Sequence, residues 1–335
     1  MSFPSAPLRV VAIGGGTGLS ALLHGLKRYA GPPERMEITA VVTVTDDGGS
    51  SGRLRRDFDV LPPGDIRNCM VALSQDEALL SRLFQYRFQS GRGLKGHSFG
   101  NLFLTALTHI TGDFAAAVKQ SSEVMASMGR IFPATKVNVA LEAVLEDGTL
   151  VSGETRISKS RSRIAKVRLL PPRCKPLPET LEAIAAADLI TLGPGSLFTS
   201  VIPNLLVSGI AEAIRKSPAV KACYVNLMWQ PGETNDFRAS DHLRVIQQHA
   251  RGKLIDYAVL NTGPIEPSLR KRYARERAQP VENDVERIAE MNIEVVEANL
   301  VARSEKVRHD SPAIAEIALR LAREGRRKRE ENRIE

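Results

Sequence analysis

Cysteine is scarce in this chain, and its spacing argues against two classes of protein. The 335 residues include three cysteines, Cys69, Cys174 and Cys223, which lie far apart in the sequence. This spacing supplies neither a disulfide framework nor a CxxC metal site, and it is typical of a reducing compartment. The six histidines form no HExxH motif, so the sequence also argues against a transition-metal centre.

Long apolar runs, targeting signals and linkers are also missing. No apolar run reaches the roughly 18 residues that a membrane-spanning helix needs. The N-terminal sequence MSFPSAPLRV lacks the charged and apolar regions of a signal peptide. We therefore expect no membrane span and a cytoplasmic location. Because no Pro/Ser-rich linker or internal repeat divides the chain, we predict one domain over residues 1–325 and a charged C-terminal tail over 326–335.

Positive charge is in excess, but the excess is confined to one segment. The chain has 46 Lys and Arg against 38 Asp and Glu, a net charge of +8. The segment 156–175 contains no acidic residue and eight basic ones: Arg156, Lys159, Arg161, Arg163, Lys166, Arg168, Arg173 and Lys175. Such a run could attract nucleic acid, but it lacks interleaved aromatic residues for base stacking. A solvated strand face is the more common origin of such a run, so we do not expect a nucleic-acid partner.

The order of apolar runs and glycine turns predicts the fold class. Apolar residues from Arg9 to Ile13 precede the turn Gly14–Gly18 and a helical pattern, and Ala186–Leu192 precede a second turn, Gly193–Ser196. A helical stretch around 205–214 follows that turn. Alternating strands and helices predict an α/β fold with a doubly wound, mostly parallel sheet. Further strands are predicted at 38–44, 220–225, 255–260 and 293–296, and further helices at 100–110, 114–125, 242–249 and 285–291.

The middle of the chain departs from this alternation. Residues 136–145 and 149–151 flank an Asp147-Gly148 turn, which is a strong hairpin signal, and 164–169 alternate in polarity. We therefore predict a β-rich insertion at about residues 130–175.

The glycine turn after the first strand is a candidate phosphate site. Glycines at a strand end let backbone amides approach a phosphate, and the following helix N-terminus adds N–H donors. Gly15, Gly16, Thr17 and Gly18 are therefore candidate ligand-binding residues, as are Gly193, Gly195 and Ser196 in the second turn. The first turn is not the usual dinucleotide fingerprint, because Leu19 replaces its third glycine, and it has no Walker lysine. A tight turn without a ligand remains the alternative.

Two adjacent acids follow the second predicted strand, within a segment from Thr43 to Asn68 that we expect to be one ligand-binding loop. Asp46 and Asp47 could accept hydrogen bonds from a ribose or hold a hydrated Mg²⁺ that bridges phosphates. The alternative is an Asp-rich turn whose side chains bond their own backbone.

Polar residues at two predicted helix starts are further candidates. Asp65 and Asn68 in PPGDIRN could face a ligand, although Asp is also a common helix cap. His97 and Asn101 in GHSFGN stand at a second helix start. His97 could act as a base, but an isolated histidine is more often a hydrogen-bond partner, and no Ser/His/Asp set has decisive spacing. We therefore assign no catalytic residue.

The assembled motifs resemble a known family over nearly the whole chain. In order, they are GGGTGLSALLHGLK, TDDGGSSGRLR, LPPGDIRN, FQYRF, GHSFGNLFLTALT, GPGSLFTSVIPNLL and QPGETNDF. Together they resemble the YvcK-type gluconeogenesis factors, a branch of the CofD-like family, and their joint occurrence is more specific than any single glycine turn. The resemblance implies a Rossmann-like α/β fold. Where the family usually reads MTQPGET, this chain has Met228-Trp229-Gln230, which introduces its only Trp.

The resemblance implies a function and two further site residues. It implies a cytoplasmic regulatory protein that binds UDP-sugars, notably UDP-N-acetylglucosamine, and supports cell shape and wall synthesis during gluconeogenic growth, with no turnover established for that branch. Tyr273 in RKRYARE and Arg308 in VRHD resemble the residues that contact the UDP-sugar, and Asn204 lies in the matching GPGS motif. An aromatic ring can stack on a ligand ring, and a guanidinium can bind a diphosphate with two hydrogen bonds.

The related transferase branch supplies the alternative function. That branch moves a 2-phospholactyl group from a nucleotide diphosphate donor and uses Mg²⁺, which Asp46 and Asp47 could hold here. A protein partner in cell-wall synthesis and a homodimer are compatible with the resemblance, and the sequence decides neither.

Overall fold

The computed structural model describes residues 6–75, 79–160 and 162–331. Ten strands occur in this part of the chain: β1 (Arg9–Gly14), β2 (Glu37–Val42), β3 (Arg130–Pro133), β4 (Ala140–Leu145), β5 (Leu150–Ser152), β6 (Ile164–Leu170), β7 (Leu189–Leu192), β8 (Val220–Tyr224), β9 (Tyr257–Asn261) and β10 (Glu294–Ala298).

Fourteen α-helices are present in the same ranges. They are α1 (Gly16–Leu26), α2 (Gly49–Phe58), α3 (Gly64–Leu73), α4 (Leu79–Gln85), α5 (Phe99–Thr111), α6 (Phe114–Val124), α7 (Glu154–Ile157), α8 (Pro178–Ala186), α9 (Ile202–Leu206), α10 (Ile210–Lys216), α11 (Ala239–His249), α12 (Pro267–Arg275), α13 (Val285–Glu290) and α14 (Ser311–Glu331). A 3₁₀ turn, Lys27–Tyr29, follows α1, and a π-helical turn, Leu197–Val201, precedes α9.

The core of the molecule is one parallel sheet. Seven strands pair in the order β10-β9-β8-β7-β1-β2-β3, and every pair is parallel. The strands are short, apolar and β-branched, and β1, β2 and β7 are buried almost throughout, as expected for a sheet with helices on both faces. The predicted α/β fold is therefore confirmed.

The strand order reverses between β1 and β7. The chain moves from β1 to β2 in one direction and from β7 to β10 in the other. Because crossovers between parallel strands are right-handed, the helices that connect successive strands lie on opposite faces of the sheet in the two halves. Helices α1, α3 and α14 pack together on one side, while α8, α9 and α10 pack together on the other. A reversal of this kind leaves a crevice at the carboxyl ends of β1 and β7.

The middle segment, predicted as a β-rich insertion, is divided between two sheets. Strand β3 pairs with β2 at the edge of the main sheet, Thr39 opposite Arg130. Strands β4, β5 and β6 form a separate antiparallel sheet in the order β5-β4-β6, with the predicted Asp147-Gly148 turn between β4 and β5.

Much of the basic segment lies on or beside β6. Arg163 pairs with Asp236 and Arg168 pairs with Glu142, while Lys166 is exposed. Arg161 falls outside the described residues. Two of the charges are therefore compensated by nearby acids.

Two predicted segments have a different local structure. The stretch from Thr43 to Asn68 was predicted as a single loop, but it contains α2 and the start of α3. The helix predicted around 205–214 is interrupted between α9 and α10, where Gly209 has φ +93°. Single-sequence periodicity misses such interruptions because the flanking apolar residues keep helical spacing on both sides.

The C-terminal helix extends beyond the predicted domain end. Helix α14 runs to Glu331, and Arg326 on it donates to both oxygens of Asp188 at 2.9 and 2.7 Å. Asp188 is completely buried, and its Oδ2 also accepts the Arg9 N–H. The first residues of the predicted tail are therefore part of the packed structure.

No single helix in the described ranges is long and apolar enough to cross a membrane. One pair of helical segments, Leu197–Leu206 and Ile210–Lys216, has the length and apolar composition of a membrane span when taken together, but the two segments are bent by 79° relative to each other.

Candidate functional site

A large cavity lies at the carboxyl ends of the main-sheet strands. Its volume is about 1230 Å³, which exceeds the 300–1,000 Å³ that is usual for small-molecule sites. Several predicted residues line it together: Gly15, Gly16, Thr17, Gly18, Asn68, Gly195, Ser196, Tyr273 and Arg308. The crevice at the reversal of strand order therefore contains residues from both halves of the chain.

The turn after β1 presents a helix N-terminus to this cavity. Helix α1 begins at Gly16 without a side-chain cap, so the N–H groups of Thr17 and Gly18 have no acceptor within the helix. Gly16 has φ +62°, in the left-handed region that favours glycine. Such a terminus favours an anionic ligand through its free N–H groups and its dipole.

The turn after β7 packs directly against the first turn. A Cβ atom on Gly18 would lie 2.4 Å from the carbonyl oxygen of Pro194, so only glycine allows this approach. Gly193, with φ +75°, makes the bend possible but lies outside the cavity wall. The two glycine turns therefore form one continuous surface.

The loop after β8 is joined to the second turn through side chains. Gln230 donates from Nε2 to Ser196 Oγ at 2.6 Å, and Asn226 donates to Gln230 Oε1 at 3.0 Å. These bonds hold the ends of β7 and β8 in one arrangement at the cavity wall.

Two predicted residues support the first turn from beneath. Asn204, completely buried on α9, donates to the Gly14 carbonyl and to the Ser200 carbonyl. Asp65 at the start of α3 accepts the Gly16 N–H, and its Oδ2 lies 2.6 Å from the position of a Cβ on Gly15. Both side chains hold the turn in shape and lie outside the cavity lining.

The aspartates after β2 point in different directions. Asp47 Oδ1 accepts hydrogen bonds from the Thr155 N–H at 2.9 Å and from the Thr155 hydroxyl at 2.7 Å. These bonds join the loop after β2 to α7. Asp46 Oδ1 accepts the Gly48 N–H at 2.8 Å. Among the residues that the structure describes, no group of three or more His, Cys, Asp or Glu side chains is placed to hold a metal ion.

Acidic side chains accumulate on one side of the cavity. Burial, followed by the neighbouring Asp46 carboxylate, raises the pKa of Asp65 to about 7. Burial and the carboxylates of Asp46 and Asp65 raise the pKa of Glu154, at the start of α7, to about 9. Since burial and neighbouring carboxylates both favour the protonated acid, Glu154 in the wall and Asp65 behind it form an acidic side of the cavity.

The sequence did not identify Glu154 or Glu233 as site residues. Glu233 is buried and lines the cavity, and its Oε1 accepts the hydroxyls of Ser158 and Thr199 at 3.1 and 3.4 Å. It lies in the QPGETNDF motif, so the motif contained a signal for it. Glu154 begins α7, which follows β5 of the small sheet, and only the tertiary fold brings it to the cavity.

Of the remaining predicted polar residues, His97 and Asn101 lie behind the wall and Asn68 lines it. His97 Nδ1 and Ser50 Oγ are 2.9 Å apart, and His97 is buried, which lowers its pKa. Asn101 is buried at the start of α5, and its N–H donates to Ser98 Oγ. Asn68 lines the cavity and accepts from Arg67 Nη2 at 2.6 Å. The structure therefore gives His97 the role of a hydrogen-bond partner for the first turn of α2.

Tyr273 and Arg308 reach the cavity from different elements. Tyr273 is on α12, and Arg308 is in the hairpin between β10 and α14, where Ala302 N–H donates to the Arg308 carbonyl. The Tyr273 hydroxyl accepts the Val307 N–H at 3.3 Å. The two residues, 35 positions apart in sequence, therefore lie at the same part of the wall.

Comparisons with known proteins identify the family of this chain. The family model for 2-phospho-L-lactate transferase CofD matches residues 10–301. The gluconeogenesis factor of Halalkalibacterium halodurans is 47% identical over 92% of this chain and 95% of its own length. That of Bacillus subtilis is 46% identical over 94% of this chain and 98% of its own.

A solved structure shares the fold as well as the sequence. The crystal structure of a protein from Bacillus halodurans superposes with a TM-score of 0.90 at 46% identity, over 94% of this chain and 100% of that one. The resemblance inferred from the motifs is confirmed by a family model over most of the chain and by relatives of nearly equal length. The chain therefore belongs to the CofD family, among relatives that are called gluconeogenesis factors.

Proposed function

We propose that this protein binds a UDP-sugar, notably UDP-N-acetylglucosamine, in the large cavity and acts in the cytoplasm as a non-catalytic regulator. The name of its relatives, gluconeogenesis factor, supports a role in gluconeogenic growth. We extend this proposal to the support of cell shape and cell-wall synthesis, with a protein partner in that process. We propose no role for nucleic acid.

One observation carries the proposal: Arg308 and Tyr273 line the same cavity as the free amides of the glycine turn after β1. The amides of Thr17 and Gly18 would bind one part of a diphosphate, and the Arg308 guanidinium would bind it with paired hydrogen bonds. Backbone N–H groups and a guanidinium both favour an anion with several acceptor oxygens. A diphosphate linking two ring systems meets this requirement better than an uncharged sugar.

The size of the cavity agrees with a ligand of this kind. A volume of about 1230 Å³ is sufficient for a nucleotide with an attached sugar. Polar residues distributed along the wall, including Asn226, Gln230 and Glu233, could accept or donate hydrogen bonds to hydroxyl groups.

Calorimetry with UDP-N-acetylglucosamine tests the proposal. We expect the wild-type protein to bind and the Arg308→Ala variant to bind about 10- to 100-fold more weakly, because a charge-assisted pair of hydrogen bonds is lost. Tyr273→Ala should weaken binding as well. Thermal unfolding should change little in either variant, since Arg308 and Tyr273 are not in the fully buried core.

Arg303→Ala, in the same hairpin but outside the cavity wall, is the matched control and should bind as the wild type does. Undiminished binding in both Arg308→Ala and Tyr273→Ala would remove this site assignment.

The acidic side of the cavity favours a second candidate, a Mg²⁺-dependent transferase that acts on a nucleotide diphosphate donor. Burial, followed by neighbouring carboxylates, raises the pKa values of Asp65 and Glu154 to about 7 and about 9, and a bound divalent cation would favour the ionised form of such crowded acids. Mg²⁺ in phosphate sites needs only one or two carboxylates besides phosphate oxygens and water. Glu154, which lines the cavity, and its neighbour Asp46 would supply these carboxylates, whereas Asp47 is already bonded to Thr155 and Asp65 to the Gly16 N–H.

A turnover experiment separates the two candidates. Protein, Mg²⁺ and nucleotide diphosphate donors are incubated together, and the released nucleotide is followed by chromatography. Release that depends on Mg²⁺ and is lost in Asp46→Asn would establish an enzyme that cleaves the donor, with the phospho group passing to water when no acceptor is supplied. Binding of UDP-N-acetylglucosamine without release under the same conditions would support the regulator.

A further inference from the structure

The only tryptophan of the chain is in the wall of the cavity. Trp229 follows β8, is half-buried and lines the cavity next to Met228 and Ala278, which are buried apolar residues. A large aromatic ring beside apolar side chains gives this part of the wall an apolar surface. Such a surface favours contact with the face of a ligand ring.

The indole ring is held in a defined orientation. Its Nε1 donates to the Phe237 carbonyl at 2.9 Å, and the Trp229 backbone N–H donates to the Gln279 carbonyl at 2.8 Å. The preceding residue, Met228, forms an antiparallel bridge with Pro280. Because both ends of the residue are bonded, the ring can contact a ligand with little loss of side-chain entropy.

Within the described ranges, neither an aromatic ring nor a cation competes for the faces of the indole ring. No other aromatic ring stacks on Trp229 or meets its edge, and no cation lies over it. Tyr273 differs, because the Arg272 guanidinium lies 5.5 Å from its ring centre and its hydroxyl accepts the Val307 N–H. Trp229 is therefore the better placed of the two rings for stacking.

Trp229 is also adjacent to the diphosphate part of the proposed site. The next residue, Gln230, donates to Ser196 in the glycine turn after β7. In a nucleotide only one ribose separates the base from the first phosphate. A base on Trp229 and phosphates at the glycine turns therefore agree with the covalent order of a nucleoside diphosphate.

We propose that Trp229 is the stacking surface for the nucleobase and that it determines the preference of the site for nucleotides over other phosphorylated sugars. This inference rests on the proposed function, since it requires a nucleotide in the cavity. Stacking is favourable because every base has a π face, and removal of an aromatic partner typically weakens nucleic-acid binding about 5- to 150-fold per base.

The test compares Trp229→Phe with Trp229→Ala by calorimetry, using UDP, UDP-N-acetylglucosamine and inorganic pyrophosphate as ligands. Both variants lose the Nε1 hydrogen bond to Phe237, so the difference between them isolates the aromatic face. We expect Trp229→Ala to bind UDP and UDP-N-acetylglucosamine at least about 5-fold more weakly than Trp229→Phe, with pyrophosphate affinity equal in both. Because Trp229 is the sole tryptophan, its fluorescence in the wild-type protein should change on addition of UDP.

Each contrary result has a distinct meaning. Equal UDP affinity in the two variants overturns the stacking role, and so does weaker pyrophosphate binding in Trp229→Ala, which would indicate a distorted wall. A loss confined to UDP-N-acetylglucosamine, with UDP unaffected, would place the sugar on the indole ring and overturn the nucleobase assignment. Wild-type protein that binds pyrophosphate but neither nucleotide overturns the proposed function itself, and the stacking role with it.

Discussion

The hydroxyl of Tyr273 accepts a hydrogen bond from the backbone N–H of Val307, so helix α12 holds the hairpin that contains Arg308. A second bond joins the same two elements, because Arg272 on α12 donates to the carbonyl of Glu305. The hairpin is closed at its base by the bridge between Val301 and His309. Arg308 therefore owes its position at the cavity wall to a helix that is distant in sequence.

This relationship predicts that Tyr273→Phe affects binding indirectly. The variant keeps the aromatic ring but leaves the Val307 N–H without its acceptor, so the hairpin should be less firmly held. We expect the affinity for UDP-N-acetylglucosamine to fall about 2- to 10-fold, the effect of one hydrogen bond. Calorimetry measures this change. Tyr273→Phe in combination with Arg308→Ala should cost no more than Arg308→Ala alone, and fully additive losses would contradict the coupling.

The contact between the two glycine turns predicts a strict requirement for glycine at position 18. An alanine Cβ would lie 2.4 Å from the Pro194 carbonyl oxygen, so the turns must separate. We expect Gly18→Ala to reduce the free energy of unfolding by about 1–3 kcal/mol and to weaken ligand binding. Gly31→Ala is the matched control, because a Cβ at Gly31 meets no atom within 4 Å. Similar urea unfolding curves for the two variants would contradict this prediction.

The acidic side of the cavity predicts a pH dependence of stability. The folded-state pKa values of Glu154 and Asp65, about 9 and about 7, lie above their ordinary values near 4. As the pH rises from about 4, the unfolded chain loses these protons first, so this contribution to stability declines until the pH passes the folded-state pKa values.

Glu154→Gln removes one of the two groups and should flatten this decline. We expect the variant to exceed the wild type in free energy of unfolding by about 1–3 kcal/mol at pH 8 and by less at pH 5. Urea unfolding at both pH values measures the difference. Glu123→Gln, at an exposed position on α6, is the control. An equal effect of Glu154→Gln at the two pH values would show that Glu154 does not titrate in this range.

The ion pair between Asp188 and Arg326 predicts that the end of α14 is required for stability. Asp188 is completely buried, so loss of Arg326 removes both of its side-chain hydrogen bonds and leaves only the more distant Arg329 near its charge. We expect Arg326→Ala to cost about 3–5 kcal/mol of unfolding free energy. Arg327→Ala, whose pairing with Glu331 is exposed, should cost less than about 0.5 kcal/mol. A small effect of Arg326→Ala in chemical denaturation would mean that Arg329, 3.6 Å from Asp188, can replace it.

Local sequence predicted the elements near the glycine turns well. The strand at Arg9–Ile13, the turn Gly14–Gly18 and the helix after it are present as expected, since apolar β-branched residues, glycines and helical spacing all agree there. Prediction was poorer for Thr43–Asn68, where glycines and charges suggested a loop. Helix α2 forms there because Leu54 and the small Ser50 and Ser51 are buried in tertiary contacts.

Only part of the candidate site could be predicted, because local sequence shows some of its residues and tertiary contacts decide the others. Glycine turns at strand ends can be identified from local sequence. Nine of the predicted site residues line the cavity: six come from the two glycine turns, and the others are Asn68, Tyr273 and Arg308. The sequence could not distinguish residues that face the cavity from residues that support it. Asp65 and Asn204 lie beneath the first turn, and Asp47 is bonded to Thr155.

The sequence by itself determined the fold class, the family and the position of the glycine turns, because these depend on short-range periodicity and on motifs that are contiguous in the chain. Only the tertiary structure decided that Trp229, Glu154 and Glu233 join the same cavity. Their positions depend on strand order and on long-range hydrogen bonds, which bring together segments far apart in sequence. Such contacts form because they bury apolar surface and satisfy polar groups across the whole molecule, and no local pattern records them.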